Sequence, residues 1–374
     1  IGLIHYNHIG WTRNRMRRIS TLLLIACCLI IPAYAFADDD LAYDLGSRAA
    51  EVGMDLLKFE AGDDNVLALT NAGHAVIKGK TTERALTGLS EKTGLSNGDN
   101  NLFQVNRPSW KPLWFYFYNK DSGMAAYMEP DPEFLSMSID QRESLPADKA
   151  FSQVSLIVAD LDSMLANPND GNTTFNRKKF GGNEFSLIGI SNSWAAGADY
   201  DFMNAEAFHD HLCPGINSGY LIIKYVAKNL PITNAAAETY IDIGCPNWCK
   251  EDAFQMIWDS TPGKNSMFVM ALSPEDEKTL TERYGTRPAG IIIRWNDGAK
   301  TGKGLALGFD FDIVSKETGV AEWTGPAWAP KLIQDIGMME YTDRPEAVVT
   351  TLKEFDVDEP LLAKLKTAGN NPYK

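Results

Sequence analysis

The chain predicts a mixed helix-and-strand protein in which one unit is built twice, and three observations carry that expectation. Helix-like and strand-like stretches follow one another in the same order in both halves. Residues 47–73 align with residues 218–244 without a gap, and each half continues into a hairpin with an aromatic residue and Asn ahead of a glycine-containing turn. Two copies are too few for a solenoid, so the expected arrangement is an intramolecular pseudo-dimer of packed units.

Taken in order, the residues before Asp38-Asp39-Asp40 read as an export signal. Arg13, Arg15, Arg17 and Arg18 precede an apolar run over 21–32, and Ala35-Phe36-Ala37 offers a small-x-small cleavage site. The mature chain is expected to begin near Asp38, in the periplasm or outside the cell, and Met16 would by itself start a complete signal. Leu24-Ile25-Ala26-Cys27 looks like a lipoprotein cleavage box, but apolar residues continue past Cys27, where a mature lipoprotein turns polar.

The first unit, residues 38–165, reads as a helix over 45–57, a strand over 66–69 ending at Gly73-His74, a helix near 82–86, a strand near 100–103 and a hairpin over 113–123. The dense aromatic run 114–118 fits a strand buried on both faces. The second unit, residues 166–330, repeats the series. A helix over 216–230 carries Ile216, Tyr220, Ile223, Ala227 and Leu230 on one stripe; a strand over 240–243 ends at Gly244-Cys245; a helix near 251–254, a strand near 265–268 and a hairpin over 290–298 follow. The alignment sets His74 opposite Cys245. Residues 167–174, polar and glycine-containing, read as a loop at the boundary, and residues 331–374 as a C-terminal helical extension with helices at 332–339 and 345–365.

A formal net charge of −14 argues against nucleic acid or anionic lipid as partners. After the leader no stretch approaches the ~18 apolar residues that span a bilayer. Of the 5 cysteines, Cys27 and Cys28 would leave with the leader, and the remaining Cys213, Cys245 and Cys249 are too few and too uneven for a disulfide scaffold.

The chemistry concentrates at Phe208-His209-Asp210-His211-Leu212-Cys213-Pro214-Gly215. On an extended segment, residues 209, 211 and 213 share a face, so two imidazoles and a thiolate converge on one cation. Cys245-Pro-Asn-Trp-Cys249 adds two sulfurs, and this set of borderline and soft donors suits Zn2+ or another transition metal. The first unit has acidic residues near 38–44 where the second has this cluster, which makes it the degenerate copy.

These residues, followed by Cys249-Lys-Glu-Asp252-Ala253, Thr261-Pro-Gly263-Lys264-Asn265 and Thr301-Gly-Lys-Gly304, resemble the FmdE domain, which takes its name from molybdenum formylmethanofuran dehydrogenase. The resemblance covers about residues 205–315. It implies an α+β fold of FmdE-like units, here two of them with the first degenerate. It also implies a metal cluster at His209, His211, Cys213 and Cys249, with Asp252, Lys264 and Lys303 as polar neighbours. Asp210 stands where the family usually has glycine, and Cys245 has no clear counterpart. An exported protein has no evident access to methanofuran, so the resemblance implies a domain and a site and not a substrate.

Each residue keeps a plainer reading. The cluster could be a hydrogen-bonded helix start; Cys245 and Cys249 could form a disulfide or a redox pair; and Asp252 could orient a histidine, accept a proton or simply favour a helix dipole. Lys264 and Lys303 could hold an anion or be solvated turn residues. Two functional classes follow. In the first the metal is a Lewis acid, with Asp252 and Lys264 as catalytic residues acting on a small anionic substrate. In the second the chain is a binding module: a metal carrier, a sensor, or a receptor for a haem- or corrinoid-type cofactor. A monomer with pseudo-dimeric units and a homodimer both fit.

Overall fold

The computed structural model describes residues 40–374; the leader read over 1–37, with Met16 and the cut near Ala37, lies outside the described residues. Helix α1 (Asp40–Leu57) leads into β1 (Val66–Thr70), a small hairpin of β2 (Val76–Ile77) and β3 (Lys80–Thr81), helix α2 (Arg84–Thr93), and then β4 (Leu102–Gln104), β5 (Phe115–Asn119), β6 (Met124–Pro130) and β7 (Phe151–Val158). Helices α3 (Leu161–Ala166), α4 (Pro168–Asn176), α5 (Glu184–Ala195) and α6 (Tyr200–His209) occupy the middle of the chain. Then come α7 (Pro214–Asn229), β8 (Glu238–Gly244), α8 (Lys250–Trp258), β9 (Met267–Val269), α9 (Pro274–Tyr284), β10 (Arg287–Asn296), β11 (Thr301–Phe309), α10 (Phe311–Glu317), α11 (Ala329–Gly337), β12 (Val349–Asp358) and α12 (Glu359–Lys366).

The fold is α+β. One five-stranded sheet has the order β4-β1-β5-β6-β7, and another runs β12-β11-β10-β8-β9, the same order seen from the opposite edge. In each, the first strand pairs in parallel with the second and antiparallel with the third. A parallel pair needs a crossover, which α2 supplies in one half and α8 in the other. Small residues let each crossover helix approach the helix before it. A Cβ on Gly46 of α1 would fall 2.1 Å from the Ala85 carbonyl oxygen of α2, and one on Gly219 of α7 would fall 2.6 Å from the Lys250 carbonyl oxygen of α8.

All five residues of β5 are buried, which accounts for its aromatic run. One apolar cluster extends from Leu67, Tyr116 and Tyr127 of the first sheet, through Leu187, Phe202 and Ile216 of the helices, to Ile292 and Leu305 of the second sheet. Residues Ala42–Lys374 accordingly form one compact unit. The other face of the second sheet carries a separate cluster with Ile241, Ile243, Cys245 and Trp295, covered by Leu362 and Leu365 of α12.

Two segments differ from the sequence reading. Residues 167–174 are not a loop, because Pro168 opens helix α4 with its fixed φ at the first turn and Asp170 favours the helix N-terminus. Residues 345–365 are not continuous helix. β12 lies along the whole of β11, from Val349 opposite Phe309 to Asp358 opposite Thr301, where its Val349, Thr350, Thr351, Phe355 and Val357 suit a strand.

Candidate metal centre

The site forms where one helix stops and two others start. Helix α6 ends at His209, and Asp210 takes the left-handed conformation (φ 73°, ψ −9°) that reverses the chain. That conformation is the one glycine adopts without cost, which explains why glycine suits this position and how an Asp can replace it. The chain then reaches Cys213, the N-cap of α7, whose sulfur accepts from the Ile216 N–H at 3.4 Å, with Pro214 in the first turn. His209 and Cys213 therefore meet through a helix end, a left-handed residue and a helix start, not along the extended segment the spacing evoked.

The imidazoles are held from behind. His209 Nδ1 lies 2.7 Å from Asp252 Oδ2, and His211 Nδ1 lies 2.6 Å from Asp210 Oδ1. An ionised carboxylate only accepts, so each Nδ1 carries a proton and Nε2 is the ring nitrogen turned to the other donors. His209 Nε2 is 3.5 Å from Cys213 Sγ, the two rings are 4.5 Å apart between centroids, and one ligand atom each from His209, His211 and Cys213 lies within 4.8 Å of the others. A carboxylate behind each histidine is the usual companion of a metal-binding imidazole, fixing both tautomer and ring orientation.

Cys249 joins from a second helix start, preceding Lys250 of α8. Gly215 makes room for it, since a Cβ there would stand 2.7 Å from Cys249 Cβ and 3.1 Å from its sulfur. The neighbouring Cys213 thiol and His209 imidazole stabilise the Cys249 thiolate, which brings its pKa down to about 4 despite partial burial. The bond to Cys249, followed by burial, pushes Cys213 up. Burial works against charge on His209, but Asp252 and the Cys249 thiolate outweigh it and carry that imidazole up to about 9. The cluster without metal is thus a Cys249 thiolate beside a His209 imidazolium, with Cys213 as the thiol donor.

Other expected residues are elsewhere. Cys245 belongs to the apolar cluster on the far face of the second sheet, where burial raises its thiol to about 11; it is not brought to the histidines. All three described cysteines are free thiols, so Cys245 and Cys249 form no disulfide. Lys264 is tied to Asp259, and Lys303 on β11 is tied to Glu354 on β12 at 2.8 Å. His74 lines a groove of about 780 Å³ together with Phe208 and Met256, on the first half's side of α6 and α8. Asp252 does sit at the site, as the orienting partner of His209.

Arg107 is a residue of this candidate site that sequence reasoning missed. It follows β4 in the first half and reaches Asp210 Oδ2 at 2.5 Å, the Asp210 carbonyl at 3.3 Å, Asn183 at 3.1 Å and Ser186 at 3.0 Å. The half without histidine ligands thereby steadies the carboxylate that steadies His211. No spacing or motif marks Arg107, because its partners lie 76 to 103 residues away.

A buried charge cluster braces the start of α8. Lys250 is 0% exposed, donates to the Pro246 carbonyl at 2.8 Å and to Glu251, and lies 4.0 Å over the Trp248 ring. Glu251 in turn accepts from the Trp248 N–H at 3.0 Å. These contacts fix the turn between Cys249 and Asp252.

Residues 208–326 match the family described as FmdE, Molybdenum formylmethanofuran dehydrogenase operon. The match includes His209, His211, Cys213, Cys249 and Asp252 and excludes Arg107. No curated protein matches the chain.

Proposed function

We propose, from the premise that residues 208–326 match the FmdE family, that the chain holds a divalent transition metal on His209, His211 and Cys213, with the Cys249 sulfur beside them, and would use it as a Lewis acid toward a small anionic substrate. The observation that carries this reading is the paired support of the imidazoles: two Nδ1 atoms each on its own carboxylate, at 2.7 and 2.6 Å, leave two Nε2 atoms beside a thiol. Two nitrogens and one sulfur suit zinc and leave a fourth position for water or substrate. A bound cation of this kind polarises a carbonyl or acidifies a water.

The chain's own groups do the rest. Asp252 and Asp210 orient the rings, Arg107 holds Asp210, and the N-termini of α7 and α8 favour negative charge on the two sulfurs. Ligands at helix ends, with His209 only 11% exposed, support a fixed centre over the exposed mobile ligands of a carrier, a sensor or a haem or corrinoid receptor. Lys264, engaged with Asp259, has no part in this reading.

The identical strand orders support a further part of the proposal: a duplicated unit whose first copy has kept the fold and lost the ligands. Export completes it, and is tested by fractionating cells that express the full-length chain.

The central test is elemental analysis of purified protein. About one zinc per chain is expected, falling to background in His209→Ala and Cys213→Ser variants that still fold. Unchanged metal content in both variants refutes the site.

A further inference from the structure

We infer that the groove of about 780 Å³ containing His74 binds the apolar, uncharged body of a substrate whose anionic end lies on the metal. The inference rests on the metal-binding reading above and deepens it, since it makes the substrate a small anion with an apolar tail.

The groove adjoins the candidate metal centre through three of its lining residues. Phe208 directly precedes His209, Asn106 directly precedes Arg107, and Met256 stands one helical turn after Asp252 on α8, where residues four apart share a face. The Asn106 N–H donates to the Ala207 carbonyl at 2.8 Å, and its side chain donates to the Phe208 carbonyl at 3.4 Å. The end of β4 is thereby laced to the end of α6, and Arg107 continues the same seam to Asp210. His211 and Asp252 are both partly exposed, so the centre is accessible to a molecule lying on the surface.

The lining suits an uncharged body. Leu86, Leu102, Phe208 and Met256 supply apolar surface, and the last two are large side chains left 38% and 44% exposed. Among the described residues no Lys or Arg lines the groove, and its carboxylate, Glu91, accepts from the Tyr43 hydroxyl at 2.7 Å. Burial lowers the His74 pKa, so that ring is neutral at pH 7. The amide groups of Gln104 and Asn204 are engaged with the Ala72 and Tyr200 carbonyls, at 2.6 and 2.8 Å. A concave, mainly apolar surface of this volume beside a reactive centre is the usual form of a small-molecule site.

Most of the lining, from His74 to Asn106, belongs to the first half and lies outside the FmdE-matched segment. The half without metal ligands therefore supplies the wall that selects the tail, besides steadying Asp210 through Arg107.

The experiment measures binding of acetohydroxamate and octanohydroxamate to the zinc-loaded full chain by calorimetry. Both carry the same metal-binding head, and only the longer one has a tail that reaches beyond it. Each methylene buried on an apolar surface gains up to about fourfold in affinity, so octanohydroxamate is expected to bind at least about 10-fold more tightly than acetohydroxamate. Thr87→Trp, which fills the groove from α2, should abolish that gain, and Met256→Gln, which makes the wall polar, should reduce it. Both variants should bind acetohydroxamate as wild type does, and Met256→Gln, at an exposed position, supplies the comparison if Thr87→Trp fails to fold. Equal affinity of wild type for the two hydroxamates, or a gain that survives in the folded variants, overturns the groove assignment and leaves the metal reading standing. Wild type that takes up no zinc, or zinc-loaded protein that binds neither hydroxamate, overturns the Lewis-acid reading and this assignment together, which keeps the two failures distinguishable.

Discussion

Replacing Asp252 by Asn should weaken metal binding by an amount that depends on pH, and the direction follows from two opposing effects. The carboxylate 2.7 Å from Nδ1 orients the His209 ring, and loss of such a partner lowers metal affinity by about 10- to 100-fold, or about 1.4 to 2.7 kcal/mol. The same carboxylate also stabilises the imidazolium that the metal must displace. With the His209 pKa at about 9, the proton competes with the metal throughout neutral pH. At pH 7 that competition costs about 100-fold in apparent affinity, or about 2.7 kcal/mol, and it vanishes once the pH exceeds the pKa. In Asp252→Asn only the Cys249 thiolate still raises the imidazole, so the variant sheds its proton more easily. The two effects offset each other near pH 7, and the orientation loss stands alone above about pH 9. Chelator-competition titrations across this range should show the ratio of variant to wild-type Kd rising with pH. A ratio that stays flat or falls refutes the assignment of Asp252 as the group that both orients and charges His209.

Metal binding at pH 7 should release about two protons, one from the His209 imidazolium and one from the Cys213 thiol, as read by calorimetry in buffers of different ionisation enthalpy; release of none contradicts the described protonation. Gly215→Ala should cost about 1–3 kcal/mol in urea unfolding and weaken metal uptake, because its Cβ would enter the space of Cys249; unchanged stability means that the two helix starts do not touch. Lys250→Met should destabilise by about 3–5 kcal/mol, since Glu251 and the Pro246 carbonyl would lose a buried cation, and Lys250→Met combined with Glu251→Gln should recover part of the loss in thermal melts. A double variant no more stable than the single one refutes the pairing.

Much of the fold was legible because it depends on local pattern. The helical stripe from Ile216 to Leu230, the two-sided burial of residues 114–118 and the matching hairpins need only period and composition to be seen. β12 was missed although Val349, Thr350, Thr351, Phe355 and Val357 favour a strand, since nothing in the sequence shows the edge of β11 that they pair with. The centre divides in the same way. His209, His211, Cys213 and Cys249 stand out as rare donors in a short span, whereas Cys245 looked equivalent only because sequence distance does not record which face of a strand a side chain leaves. Ile241, Ile243 and Cys245 alternate onto the far face, two residues apart, and that alternation places the thiol away from the site.

The sequence by itself marked the candidate donors and the repeated order of elements, and the left-handed turn at Asp210 came only with the fold. Tertiary structure alone decided what surrounds those donors. Arg107 reaches Asp210 from 103 residues away, and Asp335 is fastened near Cys213 through Asn217, 118 residues from it. The physical reason is that ligand identity is a property of a side chain, whereas orientation, charge and exclusion of water belong to the space around it, which only folding assembles.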